Sequence, residues 1–172
     1  MNQFLRGGAA GALATGPMTL VIAAARAIGH VETLPPRQIT ENLGDVVGIN
    51  SKNVSTGSQN ASFLVAHFGY GLACGILYTF ARPLLPVQRS AAGLLFGGTV
   101  WGVSYLGVMP ALRLYPWPRK DSGSRMATMI AAHAVFGIAL AELEHWLWEM
   151  DPRDRDLHFP LMSHHHDSGP RK

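Results

Sequence analysis

The chain has 172 residues, of which 48% are hydrophobic and only 15% are charged, and its formal net charge is +3. The charged residues cluster between apolar runs, which is typical of a small polytopic membrane protein and not of a soluble domain. The basic residues flank those runs without forming a basic face among stacking aromatics, so we expect no nucleic-acid partner. The single cysteine, Cys74, excludes an intramolecular disulfide.

Four apolar runs are long enough to cross a membrane, each exceeding the ~20 residues that a helix needs to span ~30 Å of hydrocarbon. They cover residues 7–29, 62–82, 90–112 and 126–148. The sequence therefore predicts an all-α polytopic membrane protein whose residues 1–149 form four transmembrane helices in two hairpins. Residues 150–172 are a charged, histidine-containing tail. Ala25-Arg26-Ala27 resembles a signal-peptide cleavage site, but the apolar run before it is too long for a signal core, so we expect a retained helix.

The connection between the first two runs contains one further predicted element. Apolar side chains recur at helical spacing over residues 37–48, opposite Glu41 and Asp45. This pattern predicts a short amphipathic helix that lies at the membrane interface.

The two hairpins resemble degenerate copies of each other. Residues 66–73 and 132–139 share Ala-His, an aromatic, Gly and Ala at one offset, and residues 9–16 and 91–98 share Ala-Ala-Gly-x-Leu-x-x-Gly. Two spans per copy would give both copies the same orientation, a parallel repeat. Small residues four apart also recur, which lets helix backbones approach closely in lipid. The pairs are Gly7/Gly11, Ala12/Gly16, Gly71/Gly75, Gly93/Gly97 and Gly98/Gly102.

The repeated histidines, His67 and His133, are the leading candidates for a functional site. An imidazole in hydrocarbon is costly without a partner, and both residues lie towards the start of their helices on one membrane side. Three interpretations remain open. Each histidine fixes helix packing through a hydrogen bond, or both are axial ligands of a b-type haem with Arg26 and Arg125 on the propionate side. In the third interpretation, the imidazoles serve a metal, a quinone or a proton relay.

Helical spacing predicts polar stripes that face the centre of the bundle. His67, Tyr70, Cys74 and Tyr78 follow one another at i, i+3, i+7 and i+11, so they share one face of the second span. Glu144 lies eleven residues after His133 and shares its face. Polar groups within spans generally turn towards the bundle interior.

The acidic end of the fourth span has a second candidate pattern. Glu142-x-x-His145 is half of a carboxylate di-iron motif, but the sequence has no second half. Because Trp146 indicates the membrane interface, we interpret Glu142, Glu144, His145 and Glu149 as solvated residues at the depth of the lipid headgroups. Nucleotide-binding and hydrolase motifs are also absent, so we predict no catalytic residue and no metal site.

Several segments together carry a family resemblance. They are the Gly/Ala-rich first span, Leu34-Pro35-Pro36-Arg37 after it, His67 with its glycines, and the stretch from Ala92-Gly93 to Pro110. In these segments the chain resembles the YagU-like group of small bacterial inner-membrane proteins, whose function is largely uncharacterised. The resemblance implies a bacterial inner-membrane location and helical spans, and it supplies no catalytic residues.

These observations favour a non-enzymatic inner-membrane protein that contacts lipid and is an accessory or structural subunit of a larger membrane complex or a homo-oligomer. The alternatives are a carrier of b-type haem or another redox cofactor and a small transporter, the latter disfavoured because the spans lack paired acids. Arg82 and Arg89 in the short second connection favour cytoplasmic termini.

Overall fold

The structure, a computed structural model, describes residues 2–31, 56–108, 111 and 122–150. The predicted interfacial helix at 37–48 and the tail after residue 150 lie outside the described residues. Within the described ranges the chain forms helices and no strand. The four long helices are α1 (Gln3–Ala27), α2 (Thr56–Ala81), α3 (Arg89–Val103) and α4 (Gly123–Glu149).

The two ends of α1 follow directly from the local sequence. At its start, the side chain of Asn2 accepts a hydrogen bond from the backbone N–H of Phe4 at 2.9 Å, as expected of an N-cap residue. At its end, Gly29 adopts a left-handed φ of 76°, and the N–H of His30 donates to the carbonyl of Ala25 at 2.9 Å. This is the Schellman arrangement that favours glycine, and it ends α1 on the side where α2 begins.

The order of the helices in space differs from their order along the chain. Extensive contacts join α1 to α2, α1 to α4 and α3 to α4, whereas α2 and α3 touch each other at few positions. The Tyr70 hydroxyl and Ser104 Oγ, 2.8 Å apart, form one link between these two flanks. Tyr78 and Phe96, whose ring centroids are 5.2 Å apart, form another. The bundle therefore has a central pair, α1 and α4, with α2 and α3 on its flanks.

Glycines bring the backbones of each hairpin together. A Cβ atom on Gly11 of α1 would lie 2.8 Å from the Cα of Gly75 on α2, which is closer than real Cβ atoms come. A Cβ atom on Gly93 of α3 would likewise lie 2.8 Å from the carbonyl carbon of Gly137 on α4. Only residues without a side chain allow these contacts, which supply the close packing that lipid-embedded helices depend on.

The glycine contacts also match the proposed internal repeat. Gly11 and Gly93 occupy equivalent positions in the first and third spans, and Gly71 and Gly137 occupy equivalent positions in the second and fourth. Gly11 contacts Gly71 in the first hairpin, and Gly93 contacts Gly137 in the second. Equivalent residues thus meet in the two hairpins, which supports the interpretation that they are degenerate copies.

The apolar side chains are distributed as lipid requires. The buried core consists largely of small residues, with Met18, Phe136 and Leu140 among its few large members. Large apolar side chains lie instead on the outer surface, where hydrocarbon and not water is the fitting solvent. All four helices, with α3 counted together with its continuation to Val108, are long and apolar enough to cross a membrane. The predicted fold class, an all-α protein with four transmembrane helices, is therefore confirmed.

We expect Gly11→Ala to lower the free energy of unfolding by about 1–3 kcal/mol, because the added methyl group would force the α1 and α2 backbones apart. The matched control is Gly98→Ala, since a Cβ there would meet nothing within 4 Å. The control should be neutral or slightly stabilising, because alanine favours a helix over glycine by about 1 kcal/mol. Unfolding in mixed detergent micelles, followed by circular dichroism, measures both. Equal effects of the two substitutions would contradict the assigned glycine contact.

Candidate functional site

His67 on α2 and His133 on α4 interact electrostatically within the bundle. The Nδ1 atom of His133 is 2.8 Å from the carbonyl oxygen of Met129, one turn earlier in the same helix. When Nδ1 donates that hydrogen bond, Nε2 carries the lone pair and can accept a proton or bind a metal. Because the bond stays within α4, it orients the ring without joining two helices.

Other polar groups extend this region along α2. The hydroxyl of Tyr70 hydrogen-bonds Ser104 Oγ on α3 and also the thiol of Cys74. We call the set His67, Tyr70, Ser104 and His133 the histidine layer. Its members come from α2, from α4 and from the turn that follows α3, so it depends on how these elements pack in the bundle.

The end of α3 departs from the predicted regular helix over residues 90–112. The α-helix ends at Val103 and continues as a π-helical turn over Ser104–Val108. Such turns are rare and occur frequently at functional sites. Here the turn begins at the residue that bonds Tyr70, so the irregular backbone borders the histidine layer. One turn before it, the indole N–H of Trp101 is buried and has no hydrogen-bond partner.

The two arginines predicted near the histidines lie at one end of the bundle. Arg26 is exposed in the last turn of α1. Arg125 is half-buried in the first turn of α4, and its backbone N–H donates to Ser122 Oγ at 3.3 Å. Both positions are at the end of the bundle where α2 and α4 begin. Their assignment to the propionates of a haem stays a prediction.

The donor atoms of this region limit the kind of cofactor that could bind there. The described parts of the chain contain no group of three or more His, Cys, Asp or Glu residues that could hold a metal ion. A tetrahedral structural zinc site needs four protein ligands, whereas two imidazoles are the complete protein ligand set of a bis-histidine haem. Of these two ligand sets, only the second can be drawn from His67 and His133 alone.

A second polar region lies at the opposite end of the bundle, where α1 and α3 begin and α4 ends. Arg6 Nε is 2.7 Å from Glu144 Oε1, and both side chains are largely buried, with 12% and 18% of their surface exposed. Arg89 is 3.1 Å from Glu142, and this pair is 39% and 45% exposed. Ser90 Oγ also donates to Glu142 at 2.7 Å. We call these five residues the ion-pair layer.

The ion-pair layer changes the interpretation of the acidic end of α4. Glu144 is paired and largely buried, so its expected role as a solvated headgroup-level residue is wrong. Glu142 binds Arg89 and Ser90, while His145 Nε2 lies 2.9 Å from Glu149 on the helix surface. The two residues of the Glu142-x-x-His145 motif thus have separate partners.

Tyr78 lies next to the ion-pair layer and is the most enclosed polar side chain of α2. Only 1% of its surface is exposed, and its hydroxyl is buried without a hydrogen-bond partner. The charges that act on it are those of Arg82, Arg89, Glu142 and Glu144. The stripe pattern placed Tyr78 on the inner face, but no local signal indicated the charges around it.

Arg82 closes the short connection between α2 and α3. Its guanidinium donates to the carbonyl oxygens of Leu85 at 2.6 Å and Val87 at 3.4 Å. These bonds occupy backbone acceptors that follow the 3-10 turn Arg82–Leu84, so they satisfy carbonyl groups near the membrane boundary.

The fold and its two polar layers define a small four-helix membrane protein with titratable groups at two depths. The chain belongs to a family of proteins of unknown function (DUF1440), which matches residues 19–142. No curated protein and no solved structure matches the chain. The matched region includes both histidines and Glu142, whereas Arg6 and Glu144 lie just outside it.

The exposed fractions of the two ion pairs predict different consequences for their loss. Glu144→Gln should destabilise the protein by about 3–5 kcal/mol, because it leaves the largely buried Arg6 charge without its partner. Glu142→Gln should cost about 0–1 kcal/mol, since the Arg89 pair is partly solvated. Detergent-induced unfolding compares the two variants, and Arg6→Gln in the Glu144→Gln background should recover part of the loss. A larger cost for Glu142→Gln would contradict this ranking.

Proposed function

We propose that the chain is an accessory subunit of a larger complex in the bacterial inner membrane. The observation that carries this proposal is the open glycine pair on α3: a Cβ atom on Gly98 or Gly102 would meet nothing within 4 Å. Gly93 and Gly97 on the same helix have the same spacing and contact the backbone of α4. Gly98 and Gly102 thus offer a second close-packing strip to a transmembrane helix of another protein.

Two further observations support the proposed location and orientation. The resemblance to the YagU-like group supports the bacterial inner membrane. Arg6, Arg82 and Arg89 all lie at the end of the bundle where α1 begins and α4 ends. Basic residues beside membrane spans favour the cytoplasmic side, so we assign the start of α1 and the end of α4 to the cytoplasm.

The accessory role predicts a specific response to side chains added on α3. Gly98→Ile and Gly102→Ile should release the chain from its complex, because each added side chain would hold the partner helix away. Gly69→Ile on α2 is the matched control, since Gly69 is also exposed with open space around it. Native gels of membranes solubilised in mild detergent measure the size of the particle.

The wild type and Gly69→Ile should migrate as a particle larger than the purified chain alone, and the α3 variants should not. Two outcomes would contradict the accessory role. In the first, the wild type is a strict monomer in membranes. In the second, its particle equals the one that the purified chain forms by itself, which would indicate a homo-oligomer.

A second candidate function is the binding of a b-type haem by His67 and His133. The hydrogen bond from His133 Nδ1 to the Met129 carbonyl favours it, because metal-bound histidines usually donate their other ring nitrogen to such an acceptor. In this role the two imidazoles would hold the iron, and the haem would supply one-electron chemistry. The π-helical turn beside Ser104 borders the same space.

A reduced-minus-oxidised spectrum of protein purified from haem-sufficient cells tests this candidate. We expect a Soret band and an α-band that are lost in His67→Ala and in His133→Ala, because each variant removes one axial ligand. His30→Ala is the control, since His30 is exposed after the end of α1. A wild-type spectrum without these bands, or bands that survive both substitutions, would exclude the haem.

A further inference from the structure

The buried hydroxyl of Tyr78 needs a polar partner that the side chains around it do not provide. A hydroxyl that is removed from water without a hydrogen bond costs free energy, and Tyr78 is 1% exposed with its hydroxyl unpartnered. Charged groups of three elements interact with it electrostatically: Arg82 of the turn after α2, Arg89 of α3, and Glu142 and Glu144 of α4. Arg6 of α1 contributes through its pair with Glu144.

A water molecule suits this position better than a larger ligand. Water can accept a hydrogen bond from the Tyr78 hydroxyl and donate one to a glutamate carboxylate, and buried polar groups are commonly bridged in this way. A lipid phosphate would need an open route to the hydroxyl, but Tyr78 and the Arg6–Glu144 pair are enclosed. Water therefore fits the position, and a water-bridged hydroxyl can pass on a proton.

The same face of α2 continues from Tyr78 towards the histidine layer. Cys74 is one turn away and is itself buried. A hydrogen bond joins the thiol of Cys74 to the hydroxyl of Tyr70, and His67 lies one further turn along the helix. His67 interacts electrostatically with His133 of α4, which continues the series. Each of these hydroxyl, thiol and imidazole groups can both donate and accept a proton.

The residues of this series extend over a large part of the membrane thickness. At about 1.5 Å per residue, the step from His67 to Tyr78 covers roughly 16 Å along α2, which is about half of the ~30 Å hydrocarbon thickness. Glu144 extends the series at one end, next to Arg6. Helix packing alone would explain a stripe of polar residues. It does not explain why the Tyr78 hydroxyl lies next to the ion-pair layer without a hydrogen-bond partner.

We propose that the face of α2 that carries Tyr78 and His67 is a proton path that joins the ion-pair layer to the histidine layer. Its members, in order, are Glu144, Tyr78, Cys74, Tyr70, His67 and His133. At each step the receiving oxygen, sulfur or nitrogen accepts one proton and releases another on its far side, with water bridging the steps of one turn. Every group ends in its starting protonation state, so the transfer needs no oxidant or reductant, and the transmembrane potential drives it.

The path goes beyond the proposed accessory role and does not depend on a partner protein. The full chain, reconstituted in liposomes that contain a pH-sensitive dye, tests it. A potassium gradient with valinomycin sets an inside-negative potential, and the measured quantity is the rate of internal acidification relative to empty liposomes. The wild type should acidify the lumen at least tenfold faster than empty liposomes.

Two pairs of variants separate proton transfer from folding. Tyr78→Phe removes the hydroxyl but keeps the ring against Phe96, and it should reduce the rate to that of empty liposomes. Tyr105→Phe removes a hydroxyl outside the path and should retain the wild-type rate. Cys74→Ala should likewise lose the flux, while Cys74→Ser should retain it, because serine restores a group that donates and accepts protons.

Native-gel mobility and circular dichroism confirm that each variant is folded before its rate is compared. Wild-type liposomes that acidify no faster than empty ones would overturn the proposal. So would a folded Tyr78→Phe variant or a folded Cys74→Ala variant that conducts like the wild type.

Discussion

The arrangement of this bundle depends on the direct contact of glycine backbones within each hairpin. In lipid, burial of apolar side chains gives helices no drive to associate, so close packing and polar contacts must hold them together. Gly11 against Gly71, and Gly93 against Gly137, bring the helix axes near enough for that. The histidines lie one turn before Gly71 and Gly137 in the sequence, so the tightest contact of each hairpin also sets the position of its imidazole.

The polar layers add the specificity that small residues lack. A glycine contact alone does not determine which helix packs against which, because any smooth helix surface can approach a glycine. The ion pair between Arg6 and Glu144 joins the first helix to the last, and the pair between Arg89 and Glu142 joins the third helix to the last. An ion that lost its partner inside the bundle would be costly, so these pairs select one helix order among those that the glycines allow.

The fold class, the four spans and close packing by small residues four apart could be predicted from the sequence because periodicity and length are local signals. The same spacing did not show which pairs meet a backbone, since a Cβ on Gly16, Gly98 or Gly102 would meet nothing within 4 Å. The buried positions of Cys74 and Tyr78 also followed from helical spacing, but the same pattern was wrong for Tyr70, which is 50% exposed. The Arg6–Glu144 pair could not be predicted, since its partners are 138 residues apart, and the neighbouring Trp146 suggested that Glu144 was solvated. Nor could the π-helical turn at Ser104, because no local pattern in the α3 sequence indicates where an extra residue enters the helix.

The internal repeat has a further consequence for the shape of the bundle. If the two hairpins were related by an exact two-fold axis along the membrane normal, the α1–α4 and α3–α2 contacts would be equivalent. The first contact is extensive and the second is slight. The two hairpins are therefore built alike, but they do not pack against each other symmetrically. The result is a wedge that is closed along α1 and α4 and open between α2 and α3. Tyr70, with 50% of its surface exposed, lies at that opening, and acyl chains of the bilayer can therefore reach one side of the histidine layer.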